Sequence, residues 1–144
     1  KNIHRSNALM DHIYGEDFCY NEMWIQGTGD EGKAAADFIS KSNPLSNAPQ
    51  PGEGPSRESR ENGNYDLLFC GDIDDKSIHV SVTGDMDPGY GSTSKMLAES
   101  AICLALDDTL NENYGVITPS VAFEESILQR LQNNAGLNFS MKKI

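Results

Sequence analysis

The stretch Tyr65-Asp66-Leu67-Leu68-Phe69-Cys70-Gly71-Asp72-Ile73-Asp74-Asp75-Lys76-Ser77-Ile78-His79-Val80-Ser81-Val82-Thr83 decides the class of fold. Ile78, Val80 and Val82 alternate with Ser77, His79, Ser81 and Thr83, the pattern of a strand with one buried and one wet face. Tyr65 to Ile73 is the partner run, and Asp74-Asp75-Lys76 supplies the turn, so the stretch reads as a β-hairpin. His79 falls on the polar face, where solvent exposure is the expectation.

Downstream, Gly84 to Gly91 is irregular and feeds a helix over about Ser92 to Asp107, with Ser92 or Thr93 available as hydroxyl cap. The second half of that helix, Ala101-Ile102-Cys103-Leu104-Ala105-Leu106, is apolar all round and should be buried on most sides. Tyr114 to Thr118 reads as a short strand. Thr118 then caps a helix with Pro119 in its first position and an apolar stripe of Phe123, Ile127, Leu128 and Leu131. Gly136 stands where a left-handed residue ends that helix, and Leu137, Phe139 and Met141 alternate in a closing strand.

Upstream, Ile3 to Gln26 reads as two extended runs around Tyr14-Gly15-Glu16-Asp17, with Phe18, Tyr20, Glu22 and Trp24 on one face of the second. Lys33 to Lys41 has the alanine content of a short helix. Residues 42–64 hold Pro44, Pro49, Pro51 and Pro55 among Gly, Ser and Asn, a long loop in which Ser56 to Asn62 forms a helical turn or two ended by Gly63. The expected fold is α+β: a single domain over residues 1–144, with a mixed, mainly antiparallel sheet of about six strands packed by two to three helices.

The chain has 144 residues, with 22 acidic and 11 basic side chains for a net charge of −11. A chain this long can bury a core without staples. The acidic excess argues against nucleic acid, whose binding rests on Lys and Arg, and no apolar run approaches a membrane-spanning length. Cys19, Cys70 and Cys103 are odd in number and widely spaced, which suggests buried free thiols in a reducing, cytoplasmic setting. His4, His12 and His79 show no metal-ligand spacing, so no metal is expected. Lys1 in place of Met, with no apolar signal region after it, suggests a trimmed or excised product.

Gly27-Thr28-Gly29-Asp30-Glu31-Gly32 matches the Gly-x-Gly-x-x-Gly dinucleotide fingerprint. The strand before it contains Asn21 and Glu22, Asp30 and Glu31 oppose a pyrophosphate, and the acid expected ~20 residues on falls in the proline-rich loop. An ordinary glycine turn is the better reading, and no cofactor is assigned to this chain. Asp85 to Lys95 also approaches a helix N-terminus through glycines, but lacks the Gly-Lys-Ser/Thr order of a P-loop. Glu22, Glu53, Asp85 and Asp87 are the carboxylates available for acid–base work; no nucleophile triad is suggested, and the catalytic residues stay unassigned.

Several ordered motifs carry a resemblance. They are Arg5-Ser6-Asn7-Ala8-Leu9, Tyr14-Gly15 with Asp17-Phe18 and Tyr20-x-Glu22, and Pro51-Gly52-Glu53-Gly54-Pro55-Ser56 with Glu58, Arg60, Glu61 and Gly63. Gly84-Asp85 and Asp87-Pro88-Gly89-Tyr90-Gly91-Ser92-Thr93-Ser94-Lys95-Met96-Leu97-Ala98-Glu99 form the longest, followed by Gly115-Val116-x-Thr118-Pro119. Together they resemble the C-terminal part of the saccharopine dehydrogenase-like oxidoreductases, in the branch that includes the trans-acting enoyl reductases. The resemblance implies a parent with an upstream Rossmann domain that binds NAD(P), absent from this chain, and a second domain here that faces a small-molecule or lipid-like substrate. Tyr20, Glu22, Glu53, Asp85, Asp87 and Tyr90 are the expected substrate-binding residues, on loops carried by a rigid sheet. The other reading is a non-catalytic module that forms a homodimer, with Phe18, Tyr20 and Trp24 as an interface.

Overall fold

A computed structural model of the chain describes residues 1–42, 50, 52–108 and 114–143, the last two by their backbone. The hairpin is present. Strands β1 (Tyr65–Ile73) and β2 (Lys76–Gly84) pair antiparallel from Tyr65↔Gly84 to Ile73↔Lys76, a two-residue turn in which Asp74 takes a φ of 51°. Aspartate tolerates that left-handed conformation better than a branched side chain would. Strand β3 (Leu137–Lys143) adds antiparallel to the other side of β2, with Val82↔Phe139 and Val80↔Met141. Directly paired residues share a face, so Leu67, Val82 and Phe139 form one apolar row and Phe69, Val80 and Met141 the next.

The sheet of about six mixed strands is therefore corrected: among the described residues there is one sheet of three antiparallel strands, order β1-β2-β3, with six helices, still α+β and a single domain. Two expected strand regions are absent among the described residues. Within residues 3–26, helix α1 (Asn2–Leu9) replaces the first run, ended by Asp11 and His12 in left-handed conformation. The stretch after Phe18 is irregular, with Trp24 71% exposed. Residues 114–118 are irregular too; Gly115 has a φ of 115°, incompatible with a strand.

The glycine turn leads into α2 (Gly29–Lys41), and a short α3 (Arg57–Asn62) is capped by the Ser56 hydroxyl, which accepts from the Ser59 N–H at 3.1 Å. Much of the proline-rich loop, residues 43–49 and 51, lies outside the described residues. Helix α4 (Gly91–Leu106) matches its expected span. The single helix expected after Thr118 is two, α5 (Pro119–Phe123) and α6 (Ser126–Asn134), separated at Glu124, whose φ of 47° no helix accommodates. Gly136 has the left-handed φ of 72° that its position called for.

Helix α4 packs on α6, α6 on β3, and α1 on α5. The buried apolar residues, Cys103, Val121, Phe123, Ala135 and Leu137, lie where these elements meet. Two further expectations on burial are corrected. Cys19 and Cys70 are exposed, with Cys103 alone buried, and His79 is half-buried in the central strand rather than free in solvent. The apolar half of α4 is also not buried on most sides, since α6 covers one side only; Leu104 is 61% exposed.

Candidate functional site

The glycine-rich loop between β2 and α4 is built around Asp87. Its carboxylate accepts the backbone N–H of Gly89 at 3.0 Å, of Tyr90 at 3.2 Å and of Gly91 at 2.5 Å. Of these donors only Gly91 belongs to α4 (Gly91–Leu106), whose N-cap position is Tyr90, so Asp87 organises the turn that leads into the helix and reaches only the first of its unpartnered N–H groups. Neither Ser92 nor Thr93 serves as the cap expected of them: the Ser92 hydroxyl shares a 2.8 Å hydrogen bond with the Tyr65 hydroxyl, and Thr93 donates to the Pro88 carbonyl at 2.6 Å. The backbone N–H of Gly91, helped by those of Tyr90 and Gly89 and by the Arg60 charge, holds the Asp87 carboxyl below its ordinary range.

Helix α3 and its flanks lie against this loop. The Asp87 N–H donates to the Arg60 carbonyl at 3.0 Å. At Gly63 an added Cβ would stand 2.6 Å from the Asp87 backbone nitrogen, so that position needs glycine for the close approach. Arg60 reaches the Pro55 carbonyl at 3.1 Å, and the Tyr90 hydroxyl donates to the Glu53 carbonyl at 3.3 Å with its ring over Gly54. Asp85 pairs with Lys95 at 3.3 Å and lies against Gly136.

Four of the six residues expected to bind substrate, Glu53, Asp85, Asp87 and Tyr90, thus come together on one polar shelf at the start of α4. Tyr20 and Glu22 bond to each other, and the Glu22 carboxylate raises the Tyr20 hydroxyl pKa. Among the described residues no hydrogen bond or ion pair links these two to the shelf. Chemically the shelf offers the Tyr90 hydroxyl, which donates to the Glu53 carbonyl, and the Lys95–Asp85 pair to a polar group, while the Asp87 oxygens are occupied by backbone.

A groove of about 360 Å³ lies away from the shelf, between α4 and the α5–α6 arm, lined by Met96, Phe123, Ile127, Leu128 and Leu131 with Ser100 and Glu124 at its polar edges. Among the described residues no cluster of His, Cys, Asp and Glu is placed to hold a metal ion, and no helix is long and apolar enough to cross a membrane.

Two constellations had no signal in spacing. In the first, the Ser6 hydroxyl is 2.7 Å from that of Thr118 and 2.9 Å from that of Ser120, Arg5 donates to the Val116 carbonyl at 2.6 Å, and Asn7 bonds to Gly15 and Tyr14. The motifs Arg5-Ser6-Asn7, Tyr14-Gly15 and Val116-x-Thr118 are therefore one unit in space; α1 packs on α5 through it. In the second, Arg130 of α6 holds Asp107 at 2.5 Å and Glu99 at 3.4 Å, tying the middle and the C-terminal end of α4 to α6. The Arg130 hydrogen bonds, with one from the Cys103 thiol, pull the Asp107 carboxyl down to about 2, and burial raises the Cys103 thiol.

Comparison with known proteins gives similarity along nearly the whole chain. It is 34% identical, over 90% of its length, to a Mycobacterium tuberculosis protein provisionally named a trans-acting enoyl reductase. Proteins named trans-acting enoyl reductase from Mycobacterium ulcerans and Mycobacterium bovis are 32% and 31% identical over the same share. The chain spans about a third of the length of these curated relatives, 36% of the first and 35% of the other two. No family model matches the chain, and no solved structure matches it. The names of the relatives point to an oxidoreductase-related role.

Proposed function

We propose that the chain is the substrate-facing domain of an NAD(P)-dependent oxidoreductase of the saccharopine dehydrogenase-like group, acting as an enoyl reductase on a small-molecule or lipid-like acceptor in the cytoplasm. The observation that carries this reading is 34% identity over 90% of the chain to a protein bearing the enoyl reductase name. Its coverage of 36% of that relative supports a parent with a further domain, which in this reading is an upstream Rossmann domain that binds the nicotinamide nucleotide.

The chain's own residues do not fit that nucleotide. The Gly27–Gly32 turn puts Asp30 and Glu31 in the first turn of α2, and no strand precedes it. Helix N-termini bind anions only where neighbouring charge permits. No chemical step is therefore assigned to a nucleotide here. The role of this chain is to bind and orient the acceptor.

In this reading the shelf at Asp87 lines the cleft. Tyr90 and Glu53 present polar groups to the substrate, and Asp87 is a positioning residue that keeps Tyr90 in place through the backbone. In the full-length protein, Asp87→Ala and Tyr90→Phe are expected to lower kcat/KM by roughly tenfold to a hundredfold, as misplacement by about 1 Å does elsewhere. Unchanged kcat/KM in both variants removes the shelf from the active site. The exposure of Trp24 favours the second reading, a non-catalytic dimerisation module. Sedimentation distinguishes the two, because a concentration-independent monomer counts against the dimer.

A further inference from the structure

Helix α3 is short, has no buried residue and ends on Asn62-Gly63. No other asparagine of the chain is followed by glycine. Asn62 is exposed, and among the described residues its side-chain amide makes no hydrogen bond. Gly63 has left the helix, with φ −70° and ψ 158°, and its N–H donates to no group among the described residues. At the end of each of the other helices the corresponding N–H is tied back to a carbonyl of its own helix.

An unbonded main-chain nitrogen beside an exposed asparagine amide, with no Cβ on the following residue to hinder approach, is the arrangement that deamidates. The Gly63 nitrogen loses its proton to solvent and attacks Asn62 Cγ. The Cγ–Nδ2 bond breaks, Nδ2 leaves as ammonia with a proton from water, and a succinimide ring closes. Water then opens the ring at either carbonyl. Opening at the side-chain carbonyl leaves an aspartyl residue; opening at the main-chain carbonyl leaves an isoaspartyl residue, whose main chain is longer by a methylene. Water is the co-reactant, and nothing is oxidised or reduced. Helix α3 does not hold its last residue against the backbone rotation that the ring needs, since helices this short are marginal alone and fray at their ends.

The neighbour of this site gives the reaction its consequence. Gly63 is pressed against Asp87, where an added Cβ would stand 2.6 Å from both the backbone nitrogen and Cα. The Arg60 carbonyl accepts the Asp87 N–H at 3.0 Å. Asn62 therefore lies between two contacts that together fix Asp87, and close-packed contacts leave no room for a longer main chain between them. We propose that Asn62-Gly63 is a deamidation site whose isoaspartyl product releases the Asp87 turn, and with it Tyr90, at the start of α4. This goes beyond the functional reading above and does not rest on it.

The test keeps the full-length protein at mildly alkaline pH, where the Gly63 nitrogen gives up its proton more readily. The control is Asn62→Gln, whose longer side chain closes such a ring poorly. Peptide mass spectrometry with isoaspartyl methyltransferase labelling is expected to show a gain of about 1 Da and isoaspartate at position 62. Conversion there should run at least about tenfold faster than at any other asparagine of this chain. In the converted protein the Tyr90 and Gly91 amides, which the Asp87 carboxylate holds, are expected to exchange with deuterium roughly tenfold faster than in Asn62→Gln kept alike. Conversion at Asn62 no faster than at the other asparagines overturns the proposal. So does full conversion with unchanged exchange at Tyr90 and Gly91, which would show that the turn does not feel the longer chain. Neither readout uses reductase activity, so a protein without that activity still decides the matter, and an active reductase whose Asn62 stays intact sinks this proposal alone.

Discussion

Gly136 and Asp87 show how differently two single residues of this chain can be read. A glycine just past an amphipathic stripe announces a left-handed helix end, and Gly136 has the φ of 72° that this requires. What the pattern does not reveal is its second duty: the Asp85 carboxylate lies where a Cβ would stand. Gly136→Ala is therefore expected to destabilise the protein by more than ~1 kcal/mol, because left-handed strain and displacement of Asp85 act together. Chemical denaturation of the variant checks this, and an unchanged midpoint would show that the turn relaxes freely. Asp87 was legible only as a carboxylate near a helix start. Its work in organising the turn before α4 depends on where Gly63 and Arg60 place the loop, and these are more than twenty residues away in sequence.

Helices and strands were legible in proportion to how far they carry their own signals. The hairpin, α4 and β3 have alternation or a full apolar run, and they stand where expected. The alternating run around Trp24 and the stretch at 114–118 do not form strands, since a strand exists only with a partner and none pairs with them among the described residues. The tie between α4 and α6 was invisible, as it joins Glu99, Asp107 and Arg130 through partly buried charges on separate elements. Arg130→Ala is expected to lower the unfolding midpoint clearly, because it leaves two half-buried carboxylates without their partner. By contrast, Arg57→Ala, which removes the exposed Arg57–Glu61 pair, should change stability by no more than ~0.5 kcal/mol. The pH dependence has a definite sign. The Asp107 pKa falls from its ordinary value of 3.8 to about 2 in the folded chain. Its contribution is complete above the ordinary value and is lost as pH falls through about 2. Acid titration of wild type and Arg130→Ala should converge there, and parallel curves would contradict the assignment.

At the scale of the whole molecule, a length of 144 residues is enough for a self-contained core, and among the described residues the buried apolar ones are few: Cys103, Val121, Phe123, Ala135 and Leu137. The same scale bears on the cofactor. Calorimetry of the isolated chain with NADH or NADPH is expected to give no binding heat, and micromolar affinity would return the Gly27–Gly32 turn to consideration as a nucleotide site. The sequence by itself determined the antiparallel hairpin, the closing strand, the span of α4 and the left-handed Gly136, because local periodicity and backbone sterics act within a few residues. Tertiary structure alone decided the number of strands, the break at Glu124, the gathering of Glu53, Asp85, Asp87 and Tyr90 at one helix start, and which side of α4 stays open. Each of these depends on which distant groups are near enough to satisfy a hydrogen bond or cover an apolar side chain, and spacing along the chain does not encode that distance.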